Sequence, residues 1–244
     1  MERGEILYAG KYNMPDDELI VSEGCSLAVE NNMISHSPEV VEKLEEFGIP
    51  VLIDLSSYED HPLGRVEWVK LYGVLLENGK AAENAFNEQV RILQQMTGKQ
   101  PSQATVAFFY ITANGMANVR VSADYVPKMI ELAGGKYIFS DLGEEGSHRS
   151  SITMQMEEFY QRAKDADYLI YNSTVDGELS SIDELLQKEP LLKDFKAVRE
   201  GRVFCTTRNL YQQSMSIGQM IGDLNHMLMG DGCQNSMEYL YPLP

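Results

Sequence analysis

The hydrophobic and polar positions of the first sixty residues follow a strand, helix, strand order. The segment SPEVVEKLEEFG, residues 37–48, carries apolar residues at helical spacing, with a capping serine and a proline at its start and a glycine at its end. On either side lie SLAVEN, residues 26–31, and IPVLIDLS, residues 49–56, which both read as strands. The second is a continuous apolar run, which is typical of a strand buried on both faces of a parallel sheet. The sequence therefore predicts a βαβ unit, preceded by a short strand in ILYAGKY, residues 6–12.

A helical stretch follows this unit. The segments PLGRVEWVKLYGVLL, residues 62–76, and KAAENAFNEQVRILQQM, residues 80–96, repeat apolar residues at helical spacing, and Gly79 breaks the pattern between them. The polar segment TGKQPSQ, residues 97–103, ends the stretch. These breaks predict an N-terminal lobe over residues 1–76, a linking helix over 77–100 and a C-terminal lobe over 101–244.

The C-terminal lobe repeats the alternation of strands and helices. The predicted strands are TVAFFYIT (105–112), KYIF (136–139), DYLIYN (167–172) and GRVFCTT (201–207). The predicted helices are SADYVPKMIELAGG (122–135), MQMEEFYQRAKDA (154–166), SSIDELLQ (180–187) and SMSIGQMIGDLNHMLMG (214–230). Strands that alternate with helices indicate parallel sheets, so the predicted fold class is α/β, with two Rossmann-like lobes.

The two lobes contain an internal echo. DELIVSEGCSLAVENN, residues 17–32, resembles EEFYQRAKDADYLIYNS, residues 157–173, because in each an acidic helix start leads to a hydrophobic strand that ends in asparagine. Glu18 and Glu158, or its neighbour Glu157, occupy matching places in the echo. Two lobes built on one plan would explain the similarity.

Charge and motifs narrow the possible functions. The 244 residues carry a net charge of −17, with 20 basic residues against 37 acidic ones, which argues against binding to nucleic acid or to an anionic membrane surface. No apolar run is long enough to span a membrane, and MERGEILYAG at the start shows no secretory signal. GxGxxG, GxxxxGK[ST], GxSxG and HExxH are all missing, so the commonest motif-borne enzyme chemistries have no support. A motif-poor α/β enzyme and an acidic scaffold without a small ligand stay open as alternatives.

The cysteines and histidines suggest no metal or redox site. Cys25, Cys205 and Cys233 are widely spaced and form no CxxC pair, so free or buried thiols are expected, although one disulfide stays open. The four histidines are scattered, and none lies at ligand spacing from another.

Polar residues gather where the predicted strands end. In α/β sheets, ligands bind beyond the carboxyl ends of the strands. The candidates are Asn31, Asn32, Ser57, Tyr58, His61, Arg65, Asn114, His148, Arg149, Asn172, Arg208, Tyr211 and Gln212. Arginines among them suit an anionic ligand, since guanidinium forms planar charge-assisted hydrogen bonds. The structural alternative is that His61 starts a helix and that Arg65 pairs with a nearby acid.

Three stretches of the chain resemble one family. They are DELIVSEGCSLAVEN (17–31), HPLGRVEWVKLYGVLL (61–76) with the helix that follows it, and FKAVREGRVFCTT (195–207). In this order they resemble the substrate-binding proteins of ABC importers for iron-siderophores, haem and cobalamin. The resemblance implies two α/β lobes joined by a single long helix, with no catalysis, no cofactor and no metal centre. It also implies that a chelate of the iron-siderophore type, or alternatively haem or cobalamin, is captured between the lobes and delivered to an ABC permease dimer.

The resemblance assigns roles to the residues singled out above. The ligand would contact a set drawn from both lobes: Tyr58, His61, Arg65, Asn114, Arg149, Asn172, Arg208, Tyr211 and Gln212. Glu18 and Glu158, or Glu157, would dock into arginines of the permease. Family members begin with a lipoprotein signal and further first-lobe strands, which the sequence does not show. The resemblance therefore implies an incomplete first lobe with an exposed sheet edge, and a lipid-anchored full-length form on the outer face of the cell membrane.

Overall fold

The computed structural model describes residues 6–96, 102–143, 149–230 and 237–244. Backbone contacts divide the chain into two compact units, Met1–Tyr58 and Glu59–Pro244, here called unit 1 and unit 2.

Unit 1 is a small α/β unit. Its elements are β1 (Gly10–Lys11), β2 (Met14–Pro15), α1 (Asp17–Ser22), β3 (Ala28–Asn31), α2 (Pro38–Glu46) and β4 (Val51–Asp54). Strands β1 and β2 form an antiparallel hairpin, whereas β3 and β4 pair in parallel, with Ala28 opposite Val51. The described core contains Ile34, Val40, Leu44 and Ile49. The predicted βαβ unit is present.

The burial predicted for β4 is wrong. Ile53 on β4 is 41% exposed, and Val29 on the neighbouring β3 is 42% exposed. The parallel register puts these two side chains on opposite faces of the two-stranded sheet. The core of unit 1 packs against the other end of the sheet at Ala28 and Val51, so the apolar run in β4 is covered only in part.

Unit 2 holds a seven-stranded sheet. Its helices are α3 (Pro62–Glu67), α4 (Val69–Leu75), α5 (Gly79–Met96), α6 (Tyr125–Leu132), α7 (Met156–Ala163), α8 (Ser173–Asp176), α9 (Ile182–Lys188), α10 (Lys196–Arg199) and α11 (Ile217–Met229). Its strands are β5 (Thr105–Ile111), β6 (Ala117–Arg120), β7 (Lys136–Tyr137), β8 (Ser151–Met154), β9 (Tyr168–Tyr171), β10 (Val203–Thr206) and β11 (Leu240–Pro242).

The sheet is parallel in its centre and antiparallel at both sides. The strand order is β11-β10-β9-β5-β6-β8, and β7 pairs with the start of β5. Strands β10, β9 and β5 are parallel neighbours, while β11 and β6 run antiparallel to them. The predicted parallel strands are present, whereas β6, β8 and β11 were not predicted. Segments such as ANVR in β6 mix polar and apolar residues over a short length, so their pairing depends on the rest of the sheet.

The helical stretch α3–α5 belongs to unit 2. Val66 on α3 and Leu93 on α5 share one core with the sheet, and the side-chain oxygen of Gln89 accepts a hydrogen bond from the backbone N–H of Gly218 at 2.9 Å. By backbone contacts the division falls between Tyr58 and Glu59, and the predicted bounds of 1–76, 77–100 and 101–244 stay a prediction. Gly79, expected to interrupt the helices, is the first residue of α5. A linking role for this helix stays a prediction.

Cys25 is half-buried and Cys205 is buried, and both are free thiols, as expected. Cys233 lies outside the described residues. Among the described helices, none has the length and apolar character required to cross a membrane. Within the same residues, no group of three or more His, Cys, Asp or Glu side chains could hold a metal ion.

Candidate functional site

The loop before α3 is fixed by its own side chains. His61 caps α3, because its Nδ1 accepts a hydrogen bond from the backbone N–H of Leu63 at 3.1 Å. The carboxylate of Glu59 accepts the indole N–H of Trp68 at 3.1 Å, and the carbonyl of Glu59 accepts the Nε–H of Arg65 at 3.0 Å. His61 thus has the structural role that the sequence left open as an alternative. Arg65 is held to the loop by its Nε–H.

Two tyrosines in contact with each other lie beside this loop, and each also contacts an arginine. The guanidinium of Arg65 lies 3.8 Å from the centroid of the Tyr125 ring, and Tyr125 meets Tyr211 edge to face at 6.4 Å. The guanidinium of Arg120 lies 4.9 Å from the centroid of the Tyr211 ring and donates a hydrogen bond to its hydroxyl. Together with Asp124, these residues form what we call the arginine–tyrosine cluster. Contacts of this kind hold both guanidinium planes in defined orientations.

Asp124 anchors the cluster to α6. One carboxylate oxygen accepts the backbone N–H of Val126 at 3.0 Å and caps the helix, and the other lies 3.7 Å from a guanidinium nitrogen of Arg120. Burial raises the pKa of the Asp124 carboxyl, although Arg120 opposes that shift. Burial alone would lower the pKa of Arg120, but Tyr211 and Asp124 raise it, so the guanidinium stays charged. Its side chain retains 15% exposure, which leaves part of it open to a ligand.

Tyr211 connects the cluster to the carboxyl ends of the parallel strands. Burial raises the pKa of its phenol to about 12, while hydrogen bonds to Arg120 and Asn172 act in the opposite direction. Asn172 directly follows β9 and caps α8, and its side-chain oxygen accepts the backbone N–H of Thr174 at 3.2 Å. At neutral pH, Tyr211 is therefore a neutral hydroxyl held between an arginine and an amide.

The other predicted ligand residues occupy different places. Asn114 is exposed in the turn that joins β5 to β6, and Arg208 and Gln212 are exposed after β10. The backbone N–H of Arg208 is held by Glu178 at 2.9 Å. These three lie on the carboxyl-end side of the parallel strands, as predicted.

Arg149 is not brought to that edge. Arg149 precedes β8, and β8 pairs with β6 so that Ser151 is opposite Arg120, which places Arg149 toward the amino end of β5. Tyr58 is exposed and belongs to unit 1. His148 lies outside the described residues. A ligand role for Arg149 and for Tyr58 stays a prediction.

Sequence reasoning missed Arg120, Asp124 and Tyr125. Their segment, NVRVSADY, carries two signals: an arginine inside an alternating strand pattern, and an aspartate placed to cap the next helix. A charged side chain in a strand of a buried sheet needs a partner, but this signal does not identify the partner or a ligand role.

The candidate docking acids lie in the first turns of two helices. Glu18 is the second residue of α1 and Glu157 is the second residue of α7, and both are exposed. Glu158 follows, with its carboxylate 3.9 Å from Arg162. The echo seen in the sequence is therefore a shared helix-to-strand plan, in which Glu157 matches Glu18 more closely by helix position.

The comparisons with known proteins decide the family. Residues 30–210 match the family described as periplasmic binding protein. The chain belongs to the periplasmic binding protein family. This agrees with the predicted α/β class and with a binding protein rather than an enzyme.

Curated relatives come from Methanocaldococcus jannaschii. An uncharacterised lipoprotein is 32% identical over 194 residues, covering 78% of this chain and 45% of that protein. A second uncharacterised protein is 29% identical over 170 residues, covering 68% of this chain and 49% of that protein. The chain thus spans about half the length of the curated relatives it matches.

Solved structures share the fold. A periplasmic haem-binding protein of Vibrio cholerae has a TM-score of 0.72 at 16% identity, covering 91% of this chain and 84% of that one. A possible iron-binding protein of Staphylococcus epidermidis has a TM-score of 0.68 at 18% identity, with 89% and 81% covered. A periplasmic vitamin B12-binding protein of Vibrio cholerae has a TM-score of 0.60 at 15% identity, with 91% and 80% covered. These likenesses show the two-lobed α/β fold of the family.

Proposed function

We propose that the protein is the solute-binding component of an ABC importer and that its arginine–tyrosine cluster binds an anionic metal chelate of the iron-siderophore type. The observation that carries the proposal is the pair of guanidinium groups, Arg65 and Arg120, held against tyrosine rings in unit 2. Preformed guanidinium planes suit carboxylate, phenolate or hydroxamate oxygens, and the rings offer flat apolar surface to the ligand body. No bond of the ligand is made or broken.

Haem and cobalamin are the alternative ligands. Support for them comes from the structurally similar proteins whose names state that they bind haem or vitamin B12. Haem carries carboxylates that the same arginines could bind, whereas cobalamin offers mainly amides and would gain less from two cations. The extent to which binding requires the charges of Arg65 and Arg120 therefore distinguishes an anionic ligand from cobalamin.

The test is a titration of the full chain with ferric siderophores of catecholate and hydroxamate type, haem and cobalamin. Trp68, the only tryptophan, lies between α3 and α4, and its indole N–H donates to Glu59 of the loop that holds Arg65. It provides a fluorescence signal, and equilibrium dialysis provides a second measure. We expect Arg65→Ala to weaken chelate binding by about 1.5–3 kcal/mol, because charge-assisted hydrogen bonds are lost. Arg120→Lys, which keeps the charge but loses the planar fork, should weaken it as well.

Arg202→Ala is the matched control. Its guanidinium also lies over a tyrosine ring, at 5.6 Å from the centroid of Tyr168, but it precedes β10 and so is at the opposite end of that strand. Affinity should be unchanged in this variant. Equal affinity of all variants for every chelate would overturn the assignment of the cluster as the ligand site.

Delivery to an ABC permease completes the proposal. The support is the family itself, together with the exposed acids Glu18, Glu157 and Glu158 at matching helix starts. Relatives named lipoproteins support a lipid-anchored protein on the outer face of the membrane. Charge reversal at Glu18 together with Glu157 and Glu158 should abolish uptake and leave chelate affinity intact, and normal uptake by this variant would refute the docking role.

A further inference from the structure

Asp124 of the arginine–tyrosine cluster does more than cap α6. One carboxylate oxygen, Oδ1, caps the helix by accepting the backbone N–H of Val126. Asparagine and serine cap helices as well as aspartate does, so the cap alone requires no charge. The second oxygen, Oδ2, faces the guanidinium of Arg120, and the Asp124 side chain is only 3% exposed. A buried carboxylate thus lies beside a cation that the anionic ligand would bind.

The contact between Asp124 and Arg120 is loose. Oδ2 of Asp124 lies 3.7 Å from Nη1 of Arg120, which is an ion-pair distance but is longer than a hydrogen bond. The other terminal nitrogen of Arg120, Nη2, donates to the hydroxyl of Tyr211. Nη1 can therefore still donate to a ligand oxygen, and that oxygen would lie within a few ångströms of Oδ2.

Charged and polar groups from several elements face Asp124. Arg120 on β6 and Arg65 on α3 favour its ionised form, whereas Asp60, in the loop before α3, favours the protonated form. Burial outweighs these charges and raises the pKa of the Asp124 carboxyl. Three phenols, whose own pKa values are raised by burial, complete the described surroundings: Tyr125, Tyr137 and Tyr211. Asp124 is therefore a carboxylate whose ionised form is only partly compensated.

An anionic ligand oxygen at Nη1 of Arg120 would change this balance. Two negative charges that are close together and shielded from water repel each other, which favours the protonated form of a carboxyl group. A protonated carboxyl group has an O–H donor, so Oδ2 of Asp124 would donate to the ligand oxygen instead of repelling it. The ligand on Arg120 and the proton on Asp124 then stabilise each other.

We propose that Asp124 determines the ligand specificity of the cluster, because an anionic chelate is captured together with one proton from solvent, which Oδ2 of Asp124 holds. The inference rests on the proposed function, which supplies the anionic ligand. The ligand oxygen then accepts from two donors, the guanidinium of Arg120 and the carboxyl group of Asp124. A neutral chelate does not repel the carboxylate, so its binding takes up no proton at this site.

The affinity for an anion depends on pH through Asp124. Since the bound anion raises the pKa of Asp124, affinity is lowest at high pH, where this carboxyl is ionised with and without ligand. Affinity rises as the pH falls through the pKa in the complex, and it levels off below the pKa in the free protein. Uptake of one proton limits the rise to about tenfold per pH unit.

The experiment measures binding of tris(oxalato)chromate(III) to the full chain. This probe is a substitution-inert trianion with carboxylate oxygens, and its charge is constant from pH 5 to 8. Neutral tris(glycinato)cobalt(III) is the matched uncharged probe. Calorimetry in buffers with different ionisation enthalpies gives the affinity and the number of protons taken up. We expect the unmodified chain to take up as much as one proton with the trianion, through Asp124, and none there with the neutral probe.

Asp124→Asn keeps an oxygen that can cap α6 but has no carboxyl group to protonate. This variant should bind the trianion about tenfold more tightly at pH 8, because the repulsion is removed, and should lose the proton uptake. Asp223→Asn is the matched control. Asp223 is also buried, and burial raises its pKa, but it accepts the backbone N–H of Tyr239 at 2.6 Å and is not part of the cluster. The control should keep the pH dependence of the unmodified chain.

The outcomes separate this inference from the proposed function. Equal proton uptake by the unmodified chain and by Asp124→Asn would overturn the inference and leave the anionic site intact. Weaker binding of the trianion by Asp124→Asn at pH 8 would also overturn it, since Asp124 would then act only by holding Arg120. Failure of the proposed anionic site would show differently, as no binding of the trianion to any variant at any pH.

Discussion

Helices α1 and α7 hold equivalent places in the two units, yet their surroundings differ. Each has at least one exposed glutamate in its first turn and leads into a parallel strand, β3 or β9. Beside α1, Val21 and Phe47 line an open acidic groove. Beside α7, the carboxylate of Glu158 faces Arg162 of the same helix, which also pairs with Asp141. A repeated backbone plan thus fixes where an acid lies, while the neighbouring side chains decide what that acid can bind.

The hydrophobic cores of the two units also differ, and unit 2 has the larger one. The sheet of unit 2 is backed by aromatic rings in contact, with Phe159 lying 4.7 Å from Phe109 and 5.6 Å from Phe195 between centroids. Unit 1 has a four-residue described core, which includes Leu44, under a two-stranded parallel sheet. Two strands alone are marginally stable, so we expect unit 1 to lose structure more easily than unit 2.

The largest expected effect comes from the aromatic core. Phe159→Ala should destabilise unit 2 by about 3–5 kcal/mol, because it leaves a cavity among fully buried rings. The measurement is urea unfolding followed by the fluorescence of Trp68, which lies in unit 2.

Leu44→Ala tests the other half of the comparison. It should cost unit 1 about 2–5 kcal/mol, visible by far-ultraviolet circular dichroism or hydrogen exchange over α2, with little change in the Trp68 transition. If Leu44→Ala moved the Trp68 midpoint as far as Phe159→Ala does, the two units would unfold as one and the comparison would fail.

An intermediate effect concerns pH. Asp167 accepts hydrogen bonds from Thr105 and from Lys196, and although burial opposes the shift, these bonds lower its pKa to about 2. Since the folded-state pKa is lowered, the stabilisation is complete above the unfolded value near 3.8 and is lost as the pH falls toward 2. Asp167→Asn should cost about 1 kcal/mol at neutral pH, with solvent screening allowed for, and nothing near pH 2.

In unit 1, the pKa shift of Glu30 has the opposite sign to that of Asp167. Burial raises the pKa of Glu30, so its ionised form is penalised at neutral pH and the penalty is relieved as the pH falls. Glu30→Gln should therefore stabilise unit 1 at neutral pH, with a gain that shrinks in acid. Denaturation of the Asp167→Asn and Glu30→Gln variants across pH 2–7 tests both predictions. A stability change that varies with pH in the same way in the two variants would contradict them.

The smallest expected effect tests the difference between the surroundings of α1 and α7. Arg162→Gln removes the cation that faces Glu158 and should change stability by less than about 1 kcal/mol, as is usual for exposed ion pairs. It should also speed association with a cationic permease surface by about two- to threefold at low salt, through stronger electrostatic attraction. Stopped-flow association at two salt concentrations measures this, and a rate unaffected by the substitution would mean that α7 takes no part in docking.

Local pattern predicted most of the fold. The Pro38 start of α2 and the apolar strands β9 and β10 depend on nearby residues, and all were predicted from the sequence. Strands β6 and β8 depend on pairing partners far along the chain, so short mixed segments gave no signal. The exposure of Ile53 likewise depends on which elements cover β4, and an apolar run does not reveal that.

The candidate site was predicted only in part, for a similar reason. Asn172 and Tyr211 were found because each follows a parallel strand, where ligand residues gather. Arg120 was missed because its role is defined by Tyr211, a residue 91 positions later. Its strand position alone does not distinguish a ligand residue from a surface charge.

The partly covered sheet of unit 1 has a consequence for the behaviour of the protein in solution. Val29 and Ile53 expose apolar surface on opposite faces of β3 and β4, and sheets with exposed apolar strands tend to associate with copies of themselves. At neutral pH the net charge of −17 keeps molecules apart. As acid protonates the carboxylates, that repulsion fades while the exposed apolar surface stays, so concentrated samples should become turbid in mild acid before the larger unit unfolds.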